Sequence, residues 1–312
     1  MAALPRVVAV VVTYQPDVTL TAPLLLALAG QCEQVLVVDN GSEPARRERL
    51  RAACAAAGAE LVELGRNEGI ARAQNIGIER ALDAGADAVL LSDQDSLPAP
   101  DMVERLLDGL DRATARGRAV AAVGPVSTDT RSATEQMVYV SRTWGPRRAR
   151  PEESRDGLVE AAFLIASGCL VTAAALRDVG PMNEEWFIDH VDLEWGLRAR
   201  RAGYALLAVT EARLDHELGD RLAKIPGRAQ EVHVHSPVRT YFISRNTVLL
   251  VRSGLMGWRW SVGYVVWLMK YVAFNVVVPA GRLRRAALMA RGLRDGLLGR
   301  TGPLPHGAVG RQ

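Results

Sequence analysis

Ala88-Val89-Leu90-Leu91-Ser92-Asp93-Gln94-Asp95-Ser96 joins a short apolar run to two carboxylates one residue apart. The run is not alternating, which predicts a strand buried on both faces. Two carboxylates at the end of such a strand can grip a hard divalent cation such as Mg2+ or Mn2+. Acidic pairs are also common at exposed turns, so the weight of this one comes from its place after a buried strand.

Working outward, Val7–Thr13, Val35–Val38, Glu60–Leu64 and Val120–Val123 read as further strands of the same kind. Leu20–Ala29, Ala45–Ala57, Ile70–Ala84 and Met102–Arg116 read as the helices between them. Strand-helix alternation predicts an α/β fold with a mostly parallel central sheet flanked by helices. Such sheets bind ligands at the carboxyl ends of their strands. There the sequence places Thr13-Tyr14, Asp39-Asn40-Gly41-Ser42, Arg66-Asn67-Glu68-Gly69 and Asp93-Gln94-Asp95-Ser96. No GxGxxG or GxxxxGK[ST] stretch is present, which disfavours a dinucleotide fold and a P-loop ATPase.

Thr128–Asp156 is polar and Arg-rich and reads as a loop or a weak strand pair. Phe163–Ala166 reads as a strand, and Leu193–Arg201 and Val238–Arg252 as helices. The pattern predicts an α/β unit, 1–236, holding the ligand-type residues, and a basic, apolar helical extension, 237–312.

Of 312 residues, 49% are hydrophobic and 23% charged, a globular composition. Three cysteines with no CxxC pair argue against a disulfide framework and fit a reducing cytoplasm. The apolar run Val7–Val12 is too short for a signal peptide. The net charge of +3 is unevenly spread: from Val232 onward twelve Lys/Arg stand against Asp295 alone. An acidic body with a basic tail suits either nucleic acid or an anionic membrane. Trp258, Trp260 and Trp267, interleaved with apolar residues, favour the membrane and not nucleic acid. The uncharged runs Trp260–Met269 and Tyr271–Gly281 have ten and eleven residues. Each is short of the about 20 that a span needs. Joined across Lys270 they would suffice, so a single crossing is the rival, and a buried helix of the body is a third reading.

The other polar sets carry two readings each. Asp39-Asn40-Gly41-Ser42 is a strong turn signal, and Asp39 can also accept from a base N–H. Asn67 can cap a helix, while Arg72 and Asn75 add polar groups nearby. Asp192 sits at or before a helix start, where a carboxylate caps or acts as a general base. His216 follows the apolar run Tyr204–Val209; a lone His is more often structural but can complete a metal site.

These motifs, in this order, resemble family 2 of the inverting glycosyltransferases, most of all its bacterial rhamnosyltransferase branch. That branch commonly carries Asp-Gln-Asp-Ser and an Arg-x-Tyr-Tyr-x-x-Arg-Asn pattern, matched here by Arg239-Thr240-Tyr241-Phe242-Ile243-Ser244-Arg245-Asn246 with Phe242 for one Tyr. The resemblance spans roughly Val7 to Arg252 and implies the GT-A fold. It implies that Thr13, Tyr14 and Asp39 line the base pocket, and that Asn67, Arg72 and Asn75 face the ribose-diphosphate region. Asp93, Gln94 and Asp95 would meet metal and ribose, with His216 as third metal ligand and Mg2+ or Mn2+ bound. Asp192 would be the base. A relative in galactofuranose polymerisation has an acidic pair there, whereas Val191 takes the first place here.

The implied reaction moves a sugar from a dTDP- or UDP-sugar donor, rhamnose first and galactose as runner-up, to a lipid-linked glycan acceptor. The place would be the cytoplasmic face of the cell membrane, with the chain held peripherally. Self-association is left open. A nucleotidyltransferase would need an N-terminal Gly-rich loop with Arg and Lys, which Tyr14-Gln15-Pro16-Asp17 does not supply. A non-catalytic membrane-tethered module would have shed Asp93, Asp95 or Asp192, and all three are present.

Overall fold

The valine-rich run Val7–Thr13 forms β1 and is buried along its whole length. The computed structural model describes residues 5–129, 134–135, 138–216, 221–223 and 232–304. In chain order follow α1 (Val18–Ala29), β2 (Gln34–Asp39), α2 (Pro44–Ala57), β3 (Glu60–Glu63), α3 (Ile70–Asp83), β4 (Ala88–Asp93), β5 (Ser96–Pro98) and α4 (Met102–Ala115). Next come β6 (Val120–Asp129), β7 (Thr134–Glu135), the hairpin of β8 (Tyr139–Arg142) and β9 (Gly145–Arg148), and β10 (Leu158–Glu160). Then come β11 (Cys169–Thr172), α5 (Ala173–Val179), α6 (Val191–Arg201) and β12 (Ala205–His216). A small pair, β13 (Arg221–Ala223) and β14 (Val232–Val234), leads to α7 (Pro237–Arg252), α8 (Trp258–Val277) and α9 (Arg282–Leu297).

Ten strands make one sheet, ordered β10-β12-β6-β11-β4-β1-β2-β3, with β5 on β12 and β7 on β6. Strands β4, β1, β2 and β3 are parallel, and β12 is parallel to β6. Strand β11 is antiparallel to both neighbours, and β10 to β12. Alternate residues of β1 feed two cores. Val8 and Val10 join one with Trp186 and Trp195, while Val7, Ala9 and Val11 join the other with Leu24, Leu50 and Leu106. Both faces are covered, which is why these strands read as unbroken apolar runs. The expected mostly parallel α/β architecture is the one observed.

Of three local readings, two change and one, the weak strand pair offered as an alternative to a loop, is met. Phe163–Ala166 is not a strand; the strand falls at Cys169–Thr172, which fits antiparallel between β4 and β6. Phe163 instead stacks on Tyr139, centroids 5.6 Å apart. Both runs are short and apolar, and only cross-strand pairing separates them. The weak strand pair expected after Thr128 is the β8–β9 hairpin. The first uncharged tail run and most of the second lie in one 20-residue helix, α8, straight through Lys270.

Helices α7 and α9 touch backbone to backbone at glycines. A Cβ at Gly292 would run into the carbonyl oxygen of Tyr241 and stand 3.2 Å from the Arg245 nitrogen. Tyr241 donates its hydroxyl to the buried Asp295, 3.0 Å away. Gly292→Ala should push these helices apart and cost about 1–3 kcal/mol. Denaturant unfolding checks this through a lower midpoint at unchanged slope; an unchanged midpoint would contradict the close packing.

Candidate active site

Parallel pairing sets the level of the polar residues. Thr13 stands opposite Asp39, and Val12 opposite Asp93, so the three strand ends finish within a residue of one another. Asp39 is fully buried. It accepts from Thr13 Oγ1 at 3.2 Å and from the Ser42 backbone nitrogen at 3.0 Å, and from the Ser42 hydroxyl. A carboxylate has about four acceptor positions, so this turn leaves Asp39 about one for a ligand.

The neighbouring loops are tied together. Asn40 Nδ2 donates to Asn67 Oδ1 at 3.1 Å, and Asn40 Oδ1 accepts from the Glu68 nitrogen at 2.8 Å. Asn67 Oδ1 also accepts from Gly69 at 3.0 Å, so Asn67 organises its own loop. Gly41 has φ 84, and a Cβ there would collide with the Arg66 backbone. Only glycine suits both constraints. Gln94 bridges the first and fourth strand ends: its Oε1 accepts from Tyr14 N at 2.8 Å, and its Nε2 donates to Tyr14 O at 3.3 Å. The Tyr14 ring lies at the rim, 48% exposed.

Asp93, Gln94 and Asp95 are half-buried at the end of β4. Asp93 N donates to Ser167 Oγ at 3.3 Å, which holds the loop before β11 against the end of β4. In the β12–β5 register His216 lies opposite Ser96, one residue from Asp95. The side chain of His216 lies outside the described residues. Among the described residues no three His, Cys, Asp or Glu side chains converge as a metal site. The oxygen donors of Asp93 and Asp95 do fit a hard divalent cation.

Two residues expected at the donor hold the protein itself. Asn75 is buried; its Nδ2 donates to Met182 O at 2.9 Å and Glu184 Oε1 at 2.8 Å, and its Oδ1 accepts from Met182 N at 2.9 Å. With both N–H donors and one of two acceptor positions engaged, Asn75 ties α3 to the chain ahead of α6. Arg72 pairs with the same Glu184 at 3.0 Å, with further N–H groups to spare.

That chain carries unusual backbone. Phe187, Asp189 and His190 have φ of 64, 66 and 64°, all non-glycine in the left-handed region. Helix α7 clamps them. Asn246 Nδ2 donates to the carbonyls of Trp186 (3.0 Å), Ile188 (2.7 Å) and Asp189 (2.9 Å). The buried Arg245 donates to Trp186 O at 2.9 Å, and Arg239 pairs with Asp189 at 2.6 Å. Phe187 stacks on Phe242, centroids 5.2 Å apart, and His190 Nε2 meets Thr247 Oγ1 at 3.0 Å. Burial pushes His190 down to about 4, so its ring is neutral. The Arg-Asn pair was visible as a motif; its task was not. Its only signal was a charged residue and an amide inside an apolar helix.

Asp192 follows in the first turn of α6. It shares a pocket with Leu91, Leu164, Cys169, Met182 and Trp195. Loss of water there raises its carboxyl to about 6, helped by the charges of Asp93 and Asp189 and opposed by the Leu193 N–H. A carboxylate so tuned is suited to take a proton near neutral pH. The structure thus brings Asp192 into electrostatic range of Asp93, the two acidic foci of the sequence.

The sequence profile of glycosyl transferase family 2 matches residues 9–180. The dTDP-rhamnosyl transferase RfbF of Shigella flexneri is 30% identical over 297 residues, covering 95% of this chain and 97% of that protein. Solved GT-A structures align at lower identity. TarS residues 1–349 of S. aureus, in complex with UDP-GlcNAc, has TM-score 0.58 at 13% identity, covering 94% of this chain and 80% of that one. The mannosyltransferase PcManGT of Pyrobaculum calidifontis, in complex with GDP-Man and Mn2+, has TM-score 0.56 at 15%, covering 96% and 88%. GalNAc-T7 with UDP, GalNAc and Mn2+ has TM-score 0.62 at 14%, covering 94% of this chain. This chain spans about half the length of GalNAc-T7 (55%) and of the longer TarS chain (50%). With the profile over more than half its length and a 30% identical relative along nearly all of it, the chain belongs to glycosyl transferase family 2, with the GT-A fold, and is similar to that family's rhamnosyltransferases.

Proposed function

We propose that this glycosyltransferase moves rhamnose from dTDP-rhamnose, with inversion, to a hydroxyl of a lipid-linked glycan in surface polysaccharide synthesis. The observation that carries this is the end-to-end similarity to a dTDP-rhamnosyl transferase. The same fold with another donor, UDP-galactose foremost, is the alternative, because pocket shape and not the motifs selects the sugar. Asp39, backed by Thr13, has one acceptor position left for the N3–H of thymine or uracil. Asp93 and Asp95, with His216, would hold Mg2+ or Mn2+, which when bound supplies positive charge for the diphosphate. Asp192 takes the proton of the acceptor hydroxyl, that oxygen attacks the anomeric carbon, and the bond to the diphosphate oxygen breaks with its electron pair.

Incubation with dTDP-rhamnose and UDP-galactose, with and without EDTA, should give chelator-sensitive turnover of the dTDP-sugar; turnover of neither sugar, or full activity in excess EDTA, would count against donor class or metal.

Asp192→Asn should lower turnover about 10²–10⁴-fold while dTDP-sugar affinity holds. Because only the carboxylate accepts a proton, and Asp192 titrates near 6, wild-type turnover should fall as pH drops through about 6. Near-normal turnover in the variant would move the role to Asp189 or Glu194.

We also place the chain on the cytoplasmic membrane face, bound peripherally. Helix α8 is long and apolar enough to cross a membrane by length and composition, and 11% of its most apolar window is buried. Two features support lying on the surface. Its N-terminal half is fixed to the body: Trp260 Nε1 donates to Arg142 O at 2.7 Å, and Gly263 lies against the Trp144 backbone. Trp260 is thus an internal anchor, not a lipid one. Lys270 in mid-span would cost about 2.5–3.5 kcal/mol. The outer stripe Trp258, Val262, Val265 and Met269 is exposed, with Arg282 and Arg284 beyond the helix end. High salt or carbonate should strip the protein from membranes; release by detergent alone would establish a span.

A further inference from the structure

Helix α8 carries a second stripe opposite the first. Trp260, Tyr264, Trp267 and Tyr271 fall at i, i+4, i+7 and i+11, within about 60° of one another around the axis. Their ring centroids step 6.3, 6.3 and 5.3 Å along the helix. The first two rings have a packing role: both lie against the core that contains Trp186 and Trp195. Trp267 does not join that core, and it remains 43% exposed.

What Trp267 adjoins is the catalytic turn. Its ring stands 6.3 Å from that of His190, two residues before Asp192. The phenol of Tyr264, one turn away, is held well above its ordinary range by burial and then by the charge of Asp192. Tyr271, stacked on Trp267 with an interplanar angle of 18°, reaches the His235 ring at 6.3 Å. The Asp189–Arg239 pair and His235 all act electrostatically on His190, so they border the same place. An indole serving as a lipid anchor would belong on the outer stripe, about 180° away around the helix. An indole serving as core would be buried.

We propose that Trp267, extended by Tyr271, is the stacking platform for the acceptor's sugar ring, and so the acceptor subsite of this enzyme. A pyranose presents a face of C–H groups and a rim of hydroxyls. The aromatic face takes the first, and charged or imidazole groups take the second. Trp267 offers the face; Asp189, His235 and Arg239 lie at its border. A ring stacked there lies beside the turn that presents Asp192, where its hydroxyl must lose a proton. This assignment rests on the chain being a glycosyltransferase with Asp192 as base, and it adds the acceptor side to that reading.

The test uses the full chain as wild type, Trp267→Ala and Trp267→Phe. Octyl glycosides of glucose, galactose, mannose, N-acetylglucosamine and rhamnose, below their micelle concentrations, serve as probes in saturation-transfer NMR. Hydrolysis of dTDP-rhamnose without acceptor is followed in parallel. At least one glycoside should bind wild type. The Ala variant should bind it about tenfold more weakly and the Phe variant within about threefold, with donor hydrolysis unchanged. The platform is overturned if no glycoside binds wild type or if Trp267→Ala binds as wild type does. It is also overturned if Trp267→Ala loses donor hydrolysis, since the ring would then be structural. Wild type that binds a glycoside but hydrolyses no dTDP- or UDP-sugar would sink the donor reading alone.

Discussion

Asn246 holds three consecutive-region carbonyls, those of Trp186, Ile188 and Asp189, with a single amide group. Without such a partner the turn would not persist. Each non-glycine residue at positive φ costs on the order of 1–3 kcal/mol, and this turn has three. Arg245 supports the same point from full burial, where a guanidinium is tolerated only if its donors are matched. Its Nε meets Asn246 Oδ1 at 2.9 Å, its Nη2 meets Trp186 O at 2.9 Å, and its Nη1 meets Gly302 O at 2.5 Å. The rings of Tyr241 and Phe242 lie 5.5 and 5.0 Å from its guanidinium carbon.

The position of Asp192 therefore depends on residues far along the chain. Gly302 accepts from Arg245 and donates to the Glu185 carbonyl at 2.7 Å, so the end of the described chain braces the turn ahead of Asp192. Helix α9 in turn braces α7 through Gly292 and Gly296. The C-terminal helices serve the site directly, whatever they do at a membrane.

The other wall of the site is simpler. Parallel pairing delivers Thr13, Asp39 and Asp93 to one level, and the tied loops after β2 and β3 keep that level rigid. Asp93 and Asp192 then sit close enough for the charge of one to raise the pKa of the other. Two acids on separate elements thus have different surroundings, Asp93 at the end of β4 and Asp192 in the first turn of α6, and the proposed reaction gives the first to the donor and the second to the acceptor. Helix α8 divides similarly, with an aromatic stripe toward the catalytic turn and an aliphatic one toward the outside.

Much of this was legible in order and spacing alone. Unbroken apolar runs ending in Thr13, Asp39 and Asp93 announced a doubly covered parallel sheet, because burial on both faces leaves no polar alternation. Ligand-type residues at those ends followed from the same logic. Phe163–Ala166 was misplaced because a short apolar run carries no information on its partner. Asn75 was assigned to the donor by the family resemblance, while the partners its side chain has, Met182 and Glu184, are over a hundred residues away. The Arg245-Asn246 motif could be seen but not understood, since the strained turn it holds exists only once α7 packs against it. Sequence by itself determined which side chains could do chemistry and on which strand ends they stand. Tertiary structure alone decided how dry Asp192 is, what clamps its turn, and which face of α8 looks at it, because each depends on contacts between segments that local pattern cannot relate.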